Sequence, residues 1–308
     1  MKVPLRTWVE SSKPHMWGIW VSSAAVPAAA AAVNGVFDWL TCLLEALLCW
    51  LMLTLACFAD EYGDFAKGVD NENRLGPVTP TQRGEIDAPS MKRALVALGL
   101  EVALTGIGLL AWSVWRHGDL GIILGFLASG AVCIAAAYLY TLGDHAYGYA
   151  GLGDAAGFLF FGLVAGVGGF WLYAHTMDWA VLAPASAVGL LLAASINLNN
   201  IRDLDNDAAC GKITLAVRLG RRRAVVYHYL LLCSACLLLL VFPIAHGMTH
   251  VVRYLFVLAF VPIFNHAVLF ARVMDADNPA ALKPLMKPLV QGQGMLALAF
   301  AICMVVPL

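Results

Sequence analysis

Residues 40–64 read LTCLLEALLCWLMLTLACFADEYGD, and this stretch decides the fold. From Leu40 to Ala59 the run is apolar apart from Glu45 and a few small polar groups, and an α-helix needs about 20 such residues to cross a hydrocarbon core. The run then ends abruptly in Asp60, Glu61 and Asp64. A helix leaving a membrane there carries its carboxylates to the water boundary, where they cost less than the ~2.5–3.5 kcal/mol of a mid-bilayer Asp.

Applied outward along the chain, the same ruler finds nine candidate spans, near 17–36, 40–59, 93–115, 120–140, 155–174, 179–199, 224–244, 251–270 and 288–307. The composition agrees: 61% of the 308 residues are apolar and 13% charged, far from a soluble domain. A net charge of -1 supplies no basic field for nucleic acid, so lipid and lipid-soluble molecules are the natural partners. The eight cysteines mostly lie in apolar runs and imply no disulfide framework. Cys233-x-x-Cys236 sits within LLLCSACLLLL and reads as lipid-facing filler. The first seventeen residues, MKVPLRTWVESSKPHMW, are too polar for a cleaved signal peptide.

With the N-terminus placed inside, 17 of the 19 lysines and arginines fall on the cytoplasmic side, against Arg116 and Arg253 outside. The positive-inside rule therefore predicts N-in, C-out, and the expected location is a bacterial cytoplasmic (inner) membrane. The expected fold is all-α, a polytopic bundle of about nine transmembrane helices forming one domain over 1–308. Its cytoplasmic loops are expected near 60–92, 141–154 and 200–223. Gly162-x-x-x-Gly166 marks a close helix contact.

Half of the 20 acids fall in two of these loops. The first carries Asp60, Glu61, Asp64, Asp70, Glu72, Glu85 and Asp87, and the second, NLNNIRDLDNDAACGKITLAVRLG, carries Asp203, Asp205 and Asp207. Asn200, Asp203 and Asp207 share one helical stripe, and Glu61-x-x-Asp64 answers Asn200-x-x-Asp203. Clustered like charges need a compensating cation, and oxygen-only ligands select a hard ion such as Mg²⁺, which binds through a few carboxylates plus substrate phosphates. Two facing acid patches can hold a diphosphate through bridging metals. Asp205 points off the stripe, and Glu72 and Asp87 read as solvated loop charges.

Basic residues are interleaved with the acids: Lys67, Arg74 and Arg83 in the first loop, Arg202, Lys212 and Arg218 in the second. Arg can fork onto phosphate oxygens and Lys can act as a point charge. Arg218 and Arg221 to Arg223 are read instead as topology and headgroup contacts. Glu45 and Glu101 would suit a transporter, but transport sites lie near mid-bilayer on broken helices, whereas these acids end spans on one face.

The blocks DEYGDFAKGVD, NRLGPVTPTQRGEI, YTLGDHAYGYAGLGD and NNIRDLDNDAACGKITLAVRLG, together with Ser12-Lys13-Pro14, resemble the UbiA superfamily of intramembrane prenyltransferases. Within it they are most similar to the 1,4-dihydroxy-2-naphthoate polyprenyltransferase branch of menaquinone synthesis. The resemblance implies a nine-helix bundle, Mg²⁺, a polyprenyl diphosphate donor and an aromatic acceptor that loses CO₂, giving demethylmenaquinol. It implies metal binding by Asp64, Asp203 and Asp207, with Glu61 and Asp60 where the family commonly has Asn-Asp. Asn200, Arg202, Lys212, Arg83, Lys67 and Arg74 are expected around the diphosphate, and Tyr140 beside the allylic centre. Ala146 stands where Pro is frequent. A 4-hydroxybenzoate acceptor is the neighbouring alternative, and a noncatalytic or transport protein the more distant one.

Overall fold

The computed structural model describes residues 3–114 and 119–307. Lys2 and Arg116, two of the charges in the inside-outside asymmetry, lie outside the described residues, as does residue 115 at the end of the third expected span.

A short helix α1 (Leu5–Ser11) precedes the spans α2 (Pro14–Val33), α3 (Trp39–Ala66), α4 (Ala88–Ser113), α5 (Leu120–Leu139), α6 (Gly153–Ala174) and α7 (Trp179–Arg202). Two short helices, α8 (Leu204–Ala209) and α9 (Leu215–Leu219), lead to the spans α10 (Arg221–Ala245), α11 (Val251–Asp275) and α12 (Pro279–Val305). Among the described residues, nine helices are long and apolar enough to cross a membrane. The protein is an integral membrane protein. Expected and observed ends differ mainly where polar residues continue a helix into the water boundary, as at the C-terminus of α3.

Several helix starts are set by single acids. Asp38 accepts the Thr41 N–H at 2.7 Å to cap α3, and Asp119 accepts from Gly121 to cap α5. Asp87 does the same for α4 through the Ser90 N–H at 2.8 Å, so this acid is a helix cap rather than a free loop charge.

The bundle is built by α12 lying along α2, α10 along α7, α7 along α6 and α3 along α4. Small residues permit the closest approaches: a β-carbon on Gly162 would stand 2.7 Å from the Gly189 Cα, and one on Gly166 would stand 2.5 Å from the Ala185 β-carbon. The glycine pair therefore faces α7. In their most apolar windows, 61% of α7 residues are buried but only 6% of those in α5, so α7 is central and α5 is the outermost wall. Within α6, residues Phe158–Gly168 wind as a π-helix, an unusually long stretch of that wider form.

The ends of α3 and α7 position the acids. Helix α3 runs on to Ala66, so Asp60, Glu61 and Asp64 ride on its last two turns. Helix α7 stops at Arg202, and Asp203 (φ −97°, ψ 12°) is the joint with α8. The Asn200, Asp203, Asp207 stripe is thus bent at Asp203 instead of running on one straight helix. The Asp207 N–H still donates to the Asp203 carbonyl at 2.8 Å, which keeps the two acids one turn apart.

Candidate active site

A cavity of about 690 Å³ opens where the C-terminal ends of α3, α5 and α7 meet the first turns of α2, α6 and α12. It is lined by Asp60, Glu61, Asp64, Asn200, Arg202, Asp203, Asp207, Lys212, Arg74 and Tyr140, which were expected from sequence to act together. Lys67 and Arg83 are not in its lining. Lys67 places its ammonium over the Tyr149 ring, 4.1 Å from the centroid. Arg83 lies at the surface and pairs with Glu10 at 2.9 Å and Glu85 at 2.7 Å.

The acids are almost wholly buried: Asp64 is 2% exposed, Asp203 5% and Asp207 4%. A buried carboxylate demands compensation, and Asp64 and Asp203 receive it differently. Asp64 accepts the Lys212 ammonium at 2.6 Å and the Tyr149 hydroxyl at 2.8 Å. Asp203 is forked by the guanidinium of Arg202, with 2.6 Å to Nη2 and 3.2 Å to Nε, and accepts the Leu75 N–H at 3.0 Å. Arg74 stands 3.6 Å from Asp203 and binds Asp70 at 2.6 Å. The first loop is thereby tied to the second, and the Asn206 amide adds a further link by donating to the Val69 carbonyl at 3.0 Å.

Burial pushes the Asp207 carboxyl up to about 7, with Lys212 pulling it down and the charges of Asp203 and Asp64 adding to the rise. Burial likewise takes Asp70 up to about 6 against the pull of Arg74. For Lys212, burial favours the neutral amine, but Asp64, Asp60 and Asp207 outweigh it and raise the ammonium above its usual range. The site therefore holds buried cations firmly and one carboxyl poised near neutrality.

Asp60 and Glu61 are held by the N-terminal segment. The Lys13 ammonium binds Asp60 at 2.6 Å. One oxygen of Glu61 accepts the Ser11 hydroxyl at 3.3 Å, the Thr81 N–H at 2.9 Å and the Thr81 hydroxyl at 2.6 Å. Its other oxygen is buried and has no hydrogen-bond partner among the described residues. Lys13, Ser11, Thr81 and Tyr149 were absent from the expected site. Lys13 lies in the quoted Ser-Lys-Pro block, the one sequence signal that pointed to it.

Tyr140 forms one wall of the cavity, edge-on to Tyr147 with ring centroids 5.5 Å apart. Glycine is required beside it: a β-carbon on Gly148 would stand 2.7 Å from the Tyr140 carbonyl oxygen. Asp154 is buried outside the cavity lining, beside Tyr227. Asp205 is exposed and pairs with Arg221 at 3.0 Å, as the stripe predicted.

The donor set suits a hard divalent cation: oxygen ligands only, the unpartnered Glu61 oxygen, and an Asp207 carboxylate for which no hydrogen bond is found among the described residues. No three acidic, histidine or cysteine side chains among the described residues converge into a complete protein cage. The arrangement fits a cation that draws its remaining ligands from water and phosphate, as Mg²⁺ does. Arg202, Lys212 and Arg74 supply matching positive charge for a polyanion.

Known proteins are similar to this chain over most of its length. A 1,4-dihydroxy-2-naphthoate octaprenyltransferase of Escherichia coli is 36% identical over 297 residues, covering 96% of this chain and 94% of that one. The enzyme of the same name from Haemophilus influenzae is 37% identical over 286 residues, covering 92% and 90%. Among solved structures, a UbiA homolog from Archaeoglobus fulgidus bound to GPP and Mg²⁺ superposes with a TM-score of 0.62 at 14% identity, covering 97% of this chain and 99% of that one. It shares the fold. The UbiA prenyltransferase family matches residues 20–305, and together with the curated relatives this establishes that the chain belongs to that family.

Proposed function

We propose that this chain transfers a polyprenyl group from a polyprenyl diphosphate to 1,4-dihydroxy-2-naphthoate, releasing diphosphate and CO₂ and giving demethylmenaquinol. The observation that carries the reading is one cavity whose polar end gathers buried acids and cations and whose walls turn apolar at Met52, Leu53, Phe160 and Phe161. The relatives named above support the acceptor.

We assign the diphosphate to the polar end, against Arg202, Lys212 and Arg74, with Asn200 donating from the same helix. Asp64, Asp203, Asp207 and the free oxygen of Glu61 are the groups we assign to Mg²⁺, with Asp60 beside them under the hold of Lys13. A bound Mg²⁺ supplies Lewis-acid neutralisation of charge on the phosphate oxygens. The protein's own cations add to it: they are fixed in a buried site where charge interacts strongly, so the allylic C–O bond breaks against pre-aligned positive charge. Tyr140 presents its ring to the allylic carbon and favours positive charge there. Apolar walls keep water from capturing the cation as an alcohol. The electron-rich ring then forms the new C–C bond, and its carboxylate leaves as CO₂. The acidic end faces the cytoplasm of a bacterial inner membrane, with the N-terminus inside and the C-terminus outside.

The test is product mass from detergent-purified protein given farnesyl diphosphate with 1,4-dihydroxy-2-naphthoate or 4-hydroxybenzoate, with Mg²⁺ or with chelator. A Mg²⁺-dependent prenylated naphthoquinol lacking the carboxyl group is expected. Product from hydroxybenzoate alone overturns the acceptor, and no product from folded protein overturns the transferase reading.

A further inference from the structure

A second cavity, about 930 Å³, lies between α3, α4, α5 and α6, on the far side of the bundle from the acids. Met52, Cys133, Phe160 and Phe161 line both cavities, so one layer of side chains joins them. Its lining is mainly apolar, with Ser129, Cys49 and Cys133 among the aliphatic and aromatic groups, and among the described residues Glu45 is its only acidic or basic side chain. Glu45 is 3% exposed, lies beside Tyr173 and Cys42, and rests one carboxyl oxygen against Gly169, where an added β-carbon would have to displace it. Glu45 and Asp64 are separated by 19 positions on the single helix α3, about 28 Å at the helical rise.

We propose that this chamber receives the distal isoprene units of a long polyprenyl donor and that Glu45 marks its end, so that Glu45 sets the chain length the protein accepts. The proposal rests on the prenyl-transfer reading above. Adjacency to the catalytic cavity, across the one layer of side chains that the two share, favours the donor's own tail as occupant over a bilayer acyl chain. A hydrocarbon tail fills the apolar stretch readily, whereas advancing onto a buried carboxyl forces that polar group to lose its remaining polar surroundings. A short donor such as farnesyl diphosphate stays within the first cavity and does not sense Glu45.

The lining supplies a way to fill the chamber without disturbing the fold. Gly125 and Gly130 of α5 face it, and a β-carbon on either meets no atom within 4 Å. Leucine at either position projects into open space and is a better helix former than glycine.

The experiment is competition between farnesyl, octaprenyl and decaprenyl diphosphates in one reaction, comparing wild type with Glu45→Ala, Gly125→Leu and Gly130→Leu, with products resolved by mass. Glu45→Ala is expected to raise use of decaprenyl relative to farnesyl diphosphate by about tenfold, the factor attached to one misplaced buried polar group. The two leucine variants are expected to lower relative use of octaprenyl diphosphate similarly, with farnesyl transfer unchanged in all three. If Glu45→Ala fails to fold, the leucine variants still decide. An unchanged length profile in Gly125→Leu and Gly130→Leu means that lipid or nothing functional fills the chamber and overturns the proposal. Equal loss with every donor overturns it as well. Wild type that transfers no donor refutes the transferase reading itself, which the variant profile does not test.

Discussion

Replacing Lys212 by Met should destabilise the protein more than any loss of one surface charge, and the structure sets the size of the effect. The Lys212 and Asp64 side chains are 9% and 3% exposed and 2.6 Å apart. Met keeps the length and apolar stem of Lys but leaves Asp64 with the Tyr149 hydroxyl as its remaining donor. Breaking a buried pair from one side costs about 3–5 kcal/mol, because an uncompensated charge stays behind. Adding Asp64→Asn removes that charge, and the amide can still accept from Tyr149. The double variant should therefore recover at least about 2 kcal/mol, a coupling that separate contributions would not produce. Unfolding in mixed micelles followed by helical circular dichroism, without Mg²⁺, measures both, and turnover need not survive in either. A single variant within about 1 kcal/mol of wild type, or a double variant whose loss is the sum of the two single losses, would refute the claim that this pair neutralises a buried acid.

Asp203→Asn should lower kcat/KM by about 10²–10³, the usual cost of losing one fixed charge-stabilising group, while leaving the helical signal intact; a tenfold effect or less would argue against a catalytic role. Arg83→Ala should stay within about threefold of wild-type kcat/KM, because its partners Glu10 and Glu85 lie at the surface and such pairs contribute about 0–1 kcal/mol. Divalent-cation affinity, followed by calorimetry with a non-reactive diphosphate present, should rise with pH through about 7 and then level, since below that pH a proton on Asp207 must be displaced. The same shift has a stability sign: a carboxyl raised above its ordinary 3.8 binds its proton better in the folded state, so metal-free stability should fall as pH climbs from about 4 to about 7. A pH-independent affinity would remove Asp207 from the metal site. Gly162→Val should cost at least about 1–3 kcal/mol through the clash with Gly189, measured in the same unfolding assay.

Hydropathy alone located the spans, because a bilayer imposes a length that no soluble core demands. The principal acids were legible for a related reason: like charges clustered at the ends of apolar runs call for a compensating cation. Asp205 and Asp207 differ by two positions yet part company, one on the surface and one in the cavity, as helical spacing predicts. What spacing could not give is which side chains from other elements complete the site. Lys13 on Asp60, Thr81 on Glu61 and Tyr149 on Asp64 are contacts between segments far apart in the chain, made only once the loops fold over the helix ends. Arg83 shows the converse. It is interleaved with the acids in sequence, but a five-residue reach to the Val78 carbonyl and two surface glutamates turn it outward.

The wide winding of α6 bears on how this chain tolerates change during evolution. Over Phe158–Gly168 each backbone turn holds more residues than an α-helix allows, so the stretch is longer by sequence than its height requires. Deleting one residue there would let the segment relax to ordinary pitch and turn everything beyond it by about 100°. Gly162 and Gly166 would leave the α7 groove, and Phe160 and Phe161 would leave the wall between the two cavities. Substitutions are absorbed locally, whereas the register of this helix is common property of the packing and the substrate path. Descendants of this protein are accordingly expected to vary in side chain along α6 while keeping its residue count fixed.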